Sequence, residues 1–391
     1  MPSPTKVDVT VDVNLFVYNG AATVGPAIES VLAQTWPAVT LTLIDDGSTD
    51  RTAEVLADYA GQYPHIRLKH NRCNGGAIAG FQRAFWFGDA DFVMPKSGDD
   101  MIAPDFIECL MGVLQAHPEA AMCHAAGLVF RGTDTIVGHY PPEHCLHAVG
   151  ADPLARARHV MARYTSSPSF WGVYRRAAVD RLSPIRTRAG WDHVLLAELA
   201  LAGEIRHVAR PLYWRRDGGK PVIQLARAAT EQARAGLPLD DTLAEQRWRT
   251  PLITTAYAHL EMAAATRLPH AERVMLMADA QAIFRARWLA GLIREAEALR
   301  AAMPALMSDL RRASPFEAAW MASSLTAALH GAATIVPEVT LSEAATELAS
   351  RCAPAAFPIG TFPTAAFPAA ALAADTFPAG ALPAASLSSA A

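Results

Sequence analysis

Two short turns in the first hundred residues concentrate carboxylates: Asp45-Asp46-Gly47-Ser48-Thr49-Asp50 and Ser97-Gly98-Asp99-Asp100. A carboxylate accepts hydrogen bonds from a base N–H or a ribose hydroxyl, and Gly47 lets the backbone turn closely past a ligand. Adjacent carboxylates such as Asp99 and Asp100 suit a hard divalent cation, Mg²⁺ or Mn²⁺, which takes oxygen ligands and keeps waters beside substrate phosphates. Either turn alone reads as a solvated or capped turn, with Asp50 as the cap of a following helix. Other chemistry-bearing groups are weaker. Glu143-His144-Cys145-Leu146-His147 has metal-capable atoms at a spacing that matches no standard zinc site, and reads as a loop. Arg215, Arg216 and Lys220, next to Gly218 and Gly219, suit a diphosphate or a solvated basic loop equally. The run Gly75 to Gly80 is followed by no Lys-Ser/Thr pair and lacks GxGxxG spacing, so it is neither a P-loop nor a dinucleotide fingerprint.

The acidic turns gain weight from the elements that hold them. Valines 7, 9, 11 and 13, Leu15 and Val17 recur at period 2 and predict an opening strand. Ile28, Val31 and Leu32 share a helical face, with Pro26 near the helix start. A second strand over Leu41–Ile44 ends at Asp45, and Val55, Leu56 and Tyr59 mark the next helix. Ile66 and Leu68 predict a third strand, residues 76–87 a helix, and Phe92–Met94 a fourth strand that ends at Ser97. Phe106, Leu110 and Leu114 then lie on one face of a helix. This β-α alternation predicts a mostly parallel sheet flanked by helices, which binds ligands at the carboxyl ends of its strands. Both acidic turns fall at such ends.

The rest of the chain differs in texture. Residues 221–352 are rich in Ala, Leu, Arg and Glu and predict helices over 240–267, 270–301, 315–331 and 340–351. Ser314-Pro315 resembles a helix start, and Thr340-Leu341-Ser342-Glu343 resembles a capping box. The uncharged stretch 318–336 holds His330 and several hydroxyls, and reads as a buried helix rather than a membrane span. Residues 353–391 repeat Phe-Pro with one charged side chain, Asp375, and are expected to be disordered. The domain expectation is therefore 1–220, 221–352 and 353–391.

Composition narrows the function classes. The 391 residues are 51% apolar and 18% charged, which excludes a disordered chain. A formal charge of −4 gives no global field for nucleic acid or anionic lipid. Five cysteines without CxxC spacing, and an N-terminus without signal-peptide features, predict a reducing, cytoplasmic setting.

Six segments in order then resemble the family 2 glycosyltransferases of the GT-A fold, over roughly residues 7–220. They are Phe16-Val17-Tyr18-Asn19-Gly20 with Ser30 to Thr35; Asp45 to Asp50; Asn71, Asn74, Gly75 and Gly76; Ser97 to Asp100 with Pro104; Phe170 to Arg176; and Trp191-Asp192 followed by Pro211 to Arg216. Two departures stand out: Ser97 occupies the place of the usual first aspartate of the metal segment, and Trp191 that of the glutamate before the base. The resemblance implies a nucleotide-sugar donor, UDP-sugar favoured, with Asp46 against base and ribose. Phe16, Tyr18, Asn19, Asp45, Asn71 and Gly76 would line the same pocket. Asp99 would hold the ribose or sugar side, and Asp100, assisted by Asp99, would bind Mg²⁺ or Mn²⁺. Asp192 would be the general base of an inverting transfer to a saccharide or lipid-linked saccharide, and Arg216 and Lys220 weaker diphosphate contacts. Nucleic acid is not an expected partner. Peripheral contact with the inner membrane face is compatible with such an acceptor, and the oligomeric state is left open. Two alternatives stand beside this reading: a sugar nucleotidyltransferase, which wants a basic glycine-rich loop where Tyr18 to Ala22 stands, and a non-catalytic sugar-nucleotide-binding or assembly subunit.

Overall fold

The computed structural model describes residues 9–140, 145–163, 167–185, 189–217, 250–313, 315–341 and 345. Strands and helices alternate first: β1 (Val11–Val17), α1 (Val24–Leu32), β2 (Val39–Asp45), α2 (Thr52–Gln62), β3 (Arg67–His70), α3 (Ala77–Trp86) and β4 (Phe92–Ser97). Then come β5 (Met101–Ile102), α4 (Phe106–Ala116), β6 (Ala120–Arg131), β7 (Thr135–His139), α5 (Pro153–Arg163), β8 (Gly172–Arg175), α6 (Arg176–Val179), α7 (Trp191–Ala202) and β9 (Glu204–Arg216). Helices α8 (Pro251–Ala265), α9 (His270–Arg312) and α10 (Pro315–Ile335) follow.

One sheet runs β3-β2-β1-β4-β8-β6-β9-β5, with β7 on β6. The parallel core expected from the alternation occupies β3-β2-β1-β4. β8 enters antiparallel to β4 and to β6, and only the β6–β9 pairing in the second half is parallel again. The second half is thus mixed, because its strands are joined by hairpin-like and crossover connections in turn.

The period-2 segment forms β1, which is buried on both faces, as a parallel sheet flanked by helices requires. Asp12 and Asn14 are 3% and 0% exposed. Asn14 Nδ2 and Asp12 Oδ2 have long-range partners, whereas Asn14 Oδ1 has none among the described residues. Asn14 donates to the carbonyls of Ala84 and Phe87 at the end of α3. Asp12 accepts from Ala90 N and pairs with Arg176 at 3.1 Å. Gly88 completes this corner at φ +90°, where a Cβ would lie 2.2 Å from Asp12 Oδ2.

Three helices follow the sheet. The expected 270–301 helix extends to Arg312, straight through Pro304. Proline removes one backbone donor and crowds the preceding turn. The apolar seam Leu292, Ala296, Leu299, Met303 and Leu306 continues across it at alternating spacings of four and three, and all five residues are buried. That burial outweighs the local defect. The buried helix expected over 318–336 is α10, whose residues Leu325 to Ala332 are all buried. No helix of the described residues is long and apolar enough to cross a membrane. The stretches 240–249, 342–344 and 346–391, which hold the start of the 240–267 helix, the capping box, most of the 340–351 helix and the tail, lie outside the described residues.

Glu295 of α9 caps α8 from outside, accepting from Leu252 N and Ile253 N at 3.0 Å each. Burial lifts its carboxyl from 4.5 to about 7. A carboxyl raised on folding binds its proton more tightly in the native state. Its stabilising contribution is therefore complete below pH 4.5 and is lost as pH rises through 7. Urea titrations of the wild type and Glu295→Gln should diverge by up to roughly 3 kcal/mol across that window, the wild type losing more with rising pH. Parallel pH curves would show that the carboxyl titrates normally.

Candidate active site

The parallel register lines up the strand ends. Val17 of β1 stands opposite Asp45 of β2, and Phe16 opposite Ser97 of β4. Two backbone bonds tie both acidic turns to β1: Asp46 N to Val17 O at 2.9 Å and Gly98 N to Phe16 O at 3.0 Å. Gly47 makes the first turn at φ +74°, where a Cβ would lie 2.6 Å from the Cys73 backbone. The two acidic turns and the 71–76 turn therefore form one rim at the carboxyl edge.

Asp46 is buried, and both its oxygens are engaged. Oδ1 accepts from Asn71 Nδ2 at 2.8 Å and Arg83 Nη1 at 2.6 Å, and Oδ2 from Gly75 N at 3.2 Å. Asp46 thus shapes the 71–76 turn, with Gly76 at its end as the N-cap of α3. Asp45 accepts from Ser48 N and lies 3.2 Å from His70 Nδ1. Asn19 adopts φ +50°, and its side-chain oxygen accepts from the amides of Thr49 and Asp50, which locks the first loop to the acidic turn. Tyr18 beside it is exposed. The expected cap Asp50 does bond Thr52 N at 2.9 Å, although the N-cap position of α2 is Arg51.

The second turn is built around charge. Asp100 is buried; its Oδ2 accepts from the Tyr213 hydroxyl and its Oδ1 from Arg216 N at 2.8 Å. Burial, reinforced by neighbouring Asp99, raises the Asp100 carboxyl above the usual carboxylate range. Asp99 is half-buried and accepts from the Ser97 hydroxyl. Beneath the turn Lys96 is fully buried, and its ammonium donates to the carbonyls of Ser97 and Asp100. Burial brings its pKa down to about 8. Lys96 follows a buried strand pattern and carried no sequence signal of its own.

Among the described residues no three His, Cys, Asp or Glu side chains converge as a ligand set. Asp99 and Asp100 still fit a hard cation completed by water and phosphate. A carboxylate oxygen that accepts one hydrogen bond keeps a second lone pair, and burial raises the Asp100 carboxyl despite the nearby Lys96 ammonium, so a cation there would be favourable.

Arg216 differs from the expected diphosphate contact. Its Nε donates to Asp99 O at 2.9 Å, its Nη1 donates to Gly132 O, and its guanidinium lies over the Phe130 ring. It clamps the acidic turn to β9. Lys220 lies outside the described residues, as do Glu143 and His144.

Asp192 is half-buried in the first turn of α7, whose N-cap is Gly190. A run of ring contacts joins its neighbourhood to the other end of the rim. Trp191 packs on Phe81 at 4.5 Å, Phe81 on Phe16 at 4.5 Å and on Trp171 at 5.5 Å, and Trp171 stacks on Tyr213 at 5.5 Å. Tyr213 is the hydroxyl donor to Asp100. Arg175 and Arg176 are structural, bonded to carbonyls of Leu114 and Ala120 and to Asp12 respectively.

The sequence profile described as Glycosyl transferase family 2 matches residues 13–179. The Uncharacterized glycosyltransferase YibD of Escherichia coli is 30% identical over 197 residues, 49% of this chain and 55% of YibD. The Uncharacterized glycosyltransferase alr2836 of Nostoc sp. is 24% identical over 57% of this chain and 70% of its own length. The chain therefore spans about half of the first of these relatives. Among solved structures, S. aureus TarS 1–349 superposes with a TM-score of 0.52 at 14% identity, over 85% of this chain and 82% of that one. The TarS 1–349 complex with UDP-GlcNAc gives 0.51 at 15% identity, over 83% and 81%. The likeness to these structures shows the GT-A fold, and residues 13–179 are similar to glycosyl transferase family 2.

Proposed function

We propose that the protein is an inverting glycosyltransferase that moves a sugar from a nucleotide-diphosphate sugar, with UDP-sugars favoured, to a hydroxyl of a saccharide or lipid-linked saccharide. One observation carries this reading: the strand ends bearing Asp46 and Asp99-Asp100 stand flush, and a continuous aromatic contact runs from Asp100's partner Tyr213 to Trp191, next to Asp192. Acidic turns for donor binding and a carboxylate for the acceptor are then parts of one rim. The UDP-GlcNAc complex of TarS, a protein of the same fold, favours the choice of nucleotide.

In this reading base and ribose rest against the wall formed by Phe16, Tyr18, Asn19 and the 71–76 turn, which Asp45 and Asp46 hold in shape. Asp99 faces the ribose or sugar. Asp99 and Asp100 would hold Mg²⁺ or Mn²⁺, which when bound neutralises charge developing on the departing diphosphate. Lys96 and Arg216 keep the acidic turn in place by bonding its carbonyls. Asp192 takes the proton of the acceptor hydroxyl as that oxygen attacks the anomeric carbon. In-line attack inverts that centre. The divisions of the chain are proposed as catalytic domain 1–220, helical region 221–352 and tail 353–391, with the protein working in the cytoplasm or at the inner membrane face.

The nucleotide wall is tested at Asp46. Asp46→Ala frees Arg83 and the Asn71 and Gly75 donors, and UDP binding by calorimetry should weaken by roughly 1–3 kcal/mol. Unchanged affinity in the folded variant removes Asp46 from the donor site. The reading as a whole is tested by binding and turnover of a panel of UDP-, GDP-, dTDP- and CMP-sugars with and without Mn²⁺. Absence of binding to all of them rejects it.

A further inference from the structure

Helix α8 grips the Asp192 segment on both flanks. On one side Thr255 Oγ1 donates to the carbonyl of Ala189 at 3.1 Å. Gly190 lies against the same side chain at φ +71°, where a Cβ would be 2.4 Å from Thr255 Oγ1. On the other side His259, one turn further along α8, meets His193: Nε2 and Nδ1 are 2.8 Å apart. Residues 255 and 259 of α8 therefore bracket residues 189 and 193, with Asp192 between them.

The histidine contact has a defined direction. His259 Nδ1 lies 2.8 Å from the Thr255 carbonyl, which only accepts, so Nδ1 carries the proton. His259 is fully buried, and burial lowers its pKa to about 4, so the ring is neutral and its Nε2 is an acceptor. His193 Nδ1 must then donate to it. Arg287 Nη1 of α9 stands 3.5 Å from His193 Nε2, itself donating to the carbonyl of Met161 at the end of α5. Phe284 packs on both imidazoles, at 4.6 Å from His259 and 5.7 Å from His193. His259 has one tautomer, His193 donates from Nδ1, and the row of contacts runs from α9 through α7 into α8.

We infer that His193 and His259 are positioning residues for Asp192, and that the helices after residue 250 are a working part of the transfer site. The inference rests on the proposed role of Asp192. A general base acts only when held within a fraction of an ångström of its proton donor. The row of contacts supplies that constraint from outside the matched residues 13–179.

The test uses the full chain, with UDP and UDP-GlcNAc as probes. His259→Leu removes the acceptor facing His193, His259→Gln restores an acceptor near the Nε2 position, and Thr255→Val removes the bond to Ala189 while keeping the side-chain shape. Each variant is measured for UDP affinity, for amide hydrogen exchange over 190–196, and for UDP-GlcNAc hydrolysis with water as acceptor. His259→Leu should bind UDP like the wild type, exchange at 190–196 roughly tenfold faster, and hydrolyse donor roughly 10- to 100-fold more slowly through kcat. His259→Gln should recover most of both losses, and Thr255→Val should move both in the same direction by less. Variants that bind UDP and match the wild type in exchange and hydrolysis overturn the inference alone, as does faster exchange with unchanged hydrolysis. A wild type that binds neither probe overturns the nucleotide-sugar reading, and the inference falls with it.

Discussion

Asp192→Asn is expected to bind UDP as tightly as the wild type and to transfer sugar about 10²–10⁴-fold more slowly. The variant keeps the shape of the side chain and loses only the capacity to take a proton. Asp192 lies in the first turn of α7, where the helix dipole favours the ionised form that a base requires. Its charge reaches the buried Tyr174 hydroxyl, whose pKa is raised first by burial and then by Asp192. The competing role is purely structural, support of the helix start. Asparagine serves that role nearly as well, so its cost there would be a few tenths of a kcal/mol and no rate. Single-turnover transfer at saturating donor separates the two: a near-normal rate in the Asn variant assigns Asp192 to the helix and removes it from the chemistry.

Asp100→Asn is the second large effect. Calorimetry should show that Mn²⁺ no longer strengthens UDP binding, because the amide has lost the charge that a hard cation needs. The same change removes the carboxylate charge that most favours the buried Lys96 ammonium. A buried ammonium left with less compensating charge costs stability, so the variant should also melt earlier. The double variant Lys96→Met with Asp100→Asn separates the two effects. It should regain stability without regaining the Mn²⁺ enhancement. Persistence of that enhancement in Asp100→Asn rejects the metal assignment.

The parts of the site legible in the sequence were local ones. The acidic turns sit where hydrophobic runs stop, and a strand that stops in Asp-Asp-Gly announces its own carboxyl end. The roles of Asn19 and Arg216 were less visible. Both carry the chemistry of ligand contacts, yet their polar atoms bond Thr49, Asp50, Asp99 and Gly132. A side chain's type does not reveal whether the backbone has already claimed it. Arg83, Lys96, Tyr213 and the His193–His259 contact were not legible at all. Three of the four draw their meaning from a partner far off in the chain, 37 residues away for Arg83 and Asp46, 113 for Tyr213 and Asp100 and 66 for the two histidines, while Lys96 bonds the adjacent turn and only its burial was hidden. The valine periodicity of β1 gave its strand correctly, but only Arg176 and the end of α3 explain why Asp12 and Asn14 are inside.

The Asp12–Arg176 pair also dictates when the protein is able to fold. Its two ends are separated by 164 residues, so a nascent chain that has released β1 to β4 holds a central strand with a carboxylate and no cation to meet it. Closing the sheet at that stage would bury an uncompensated charge, a penalty of about 3–5 kcal/mol that a half-made domain has little stability to absorb. The half that carries β1 to β4 is therefore expected to stay open and to close only once α6 has left the ribosome. A fragment ending near residue 150 would remain in that state for good, and its unpaired strand edges would make it a substrate for chaperones.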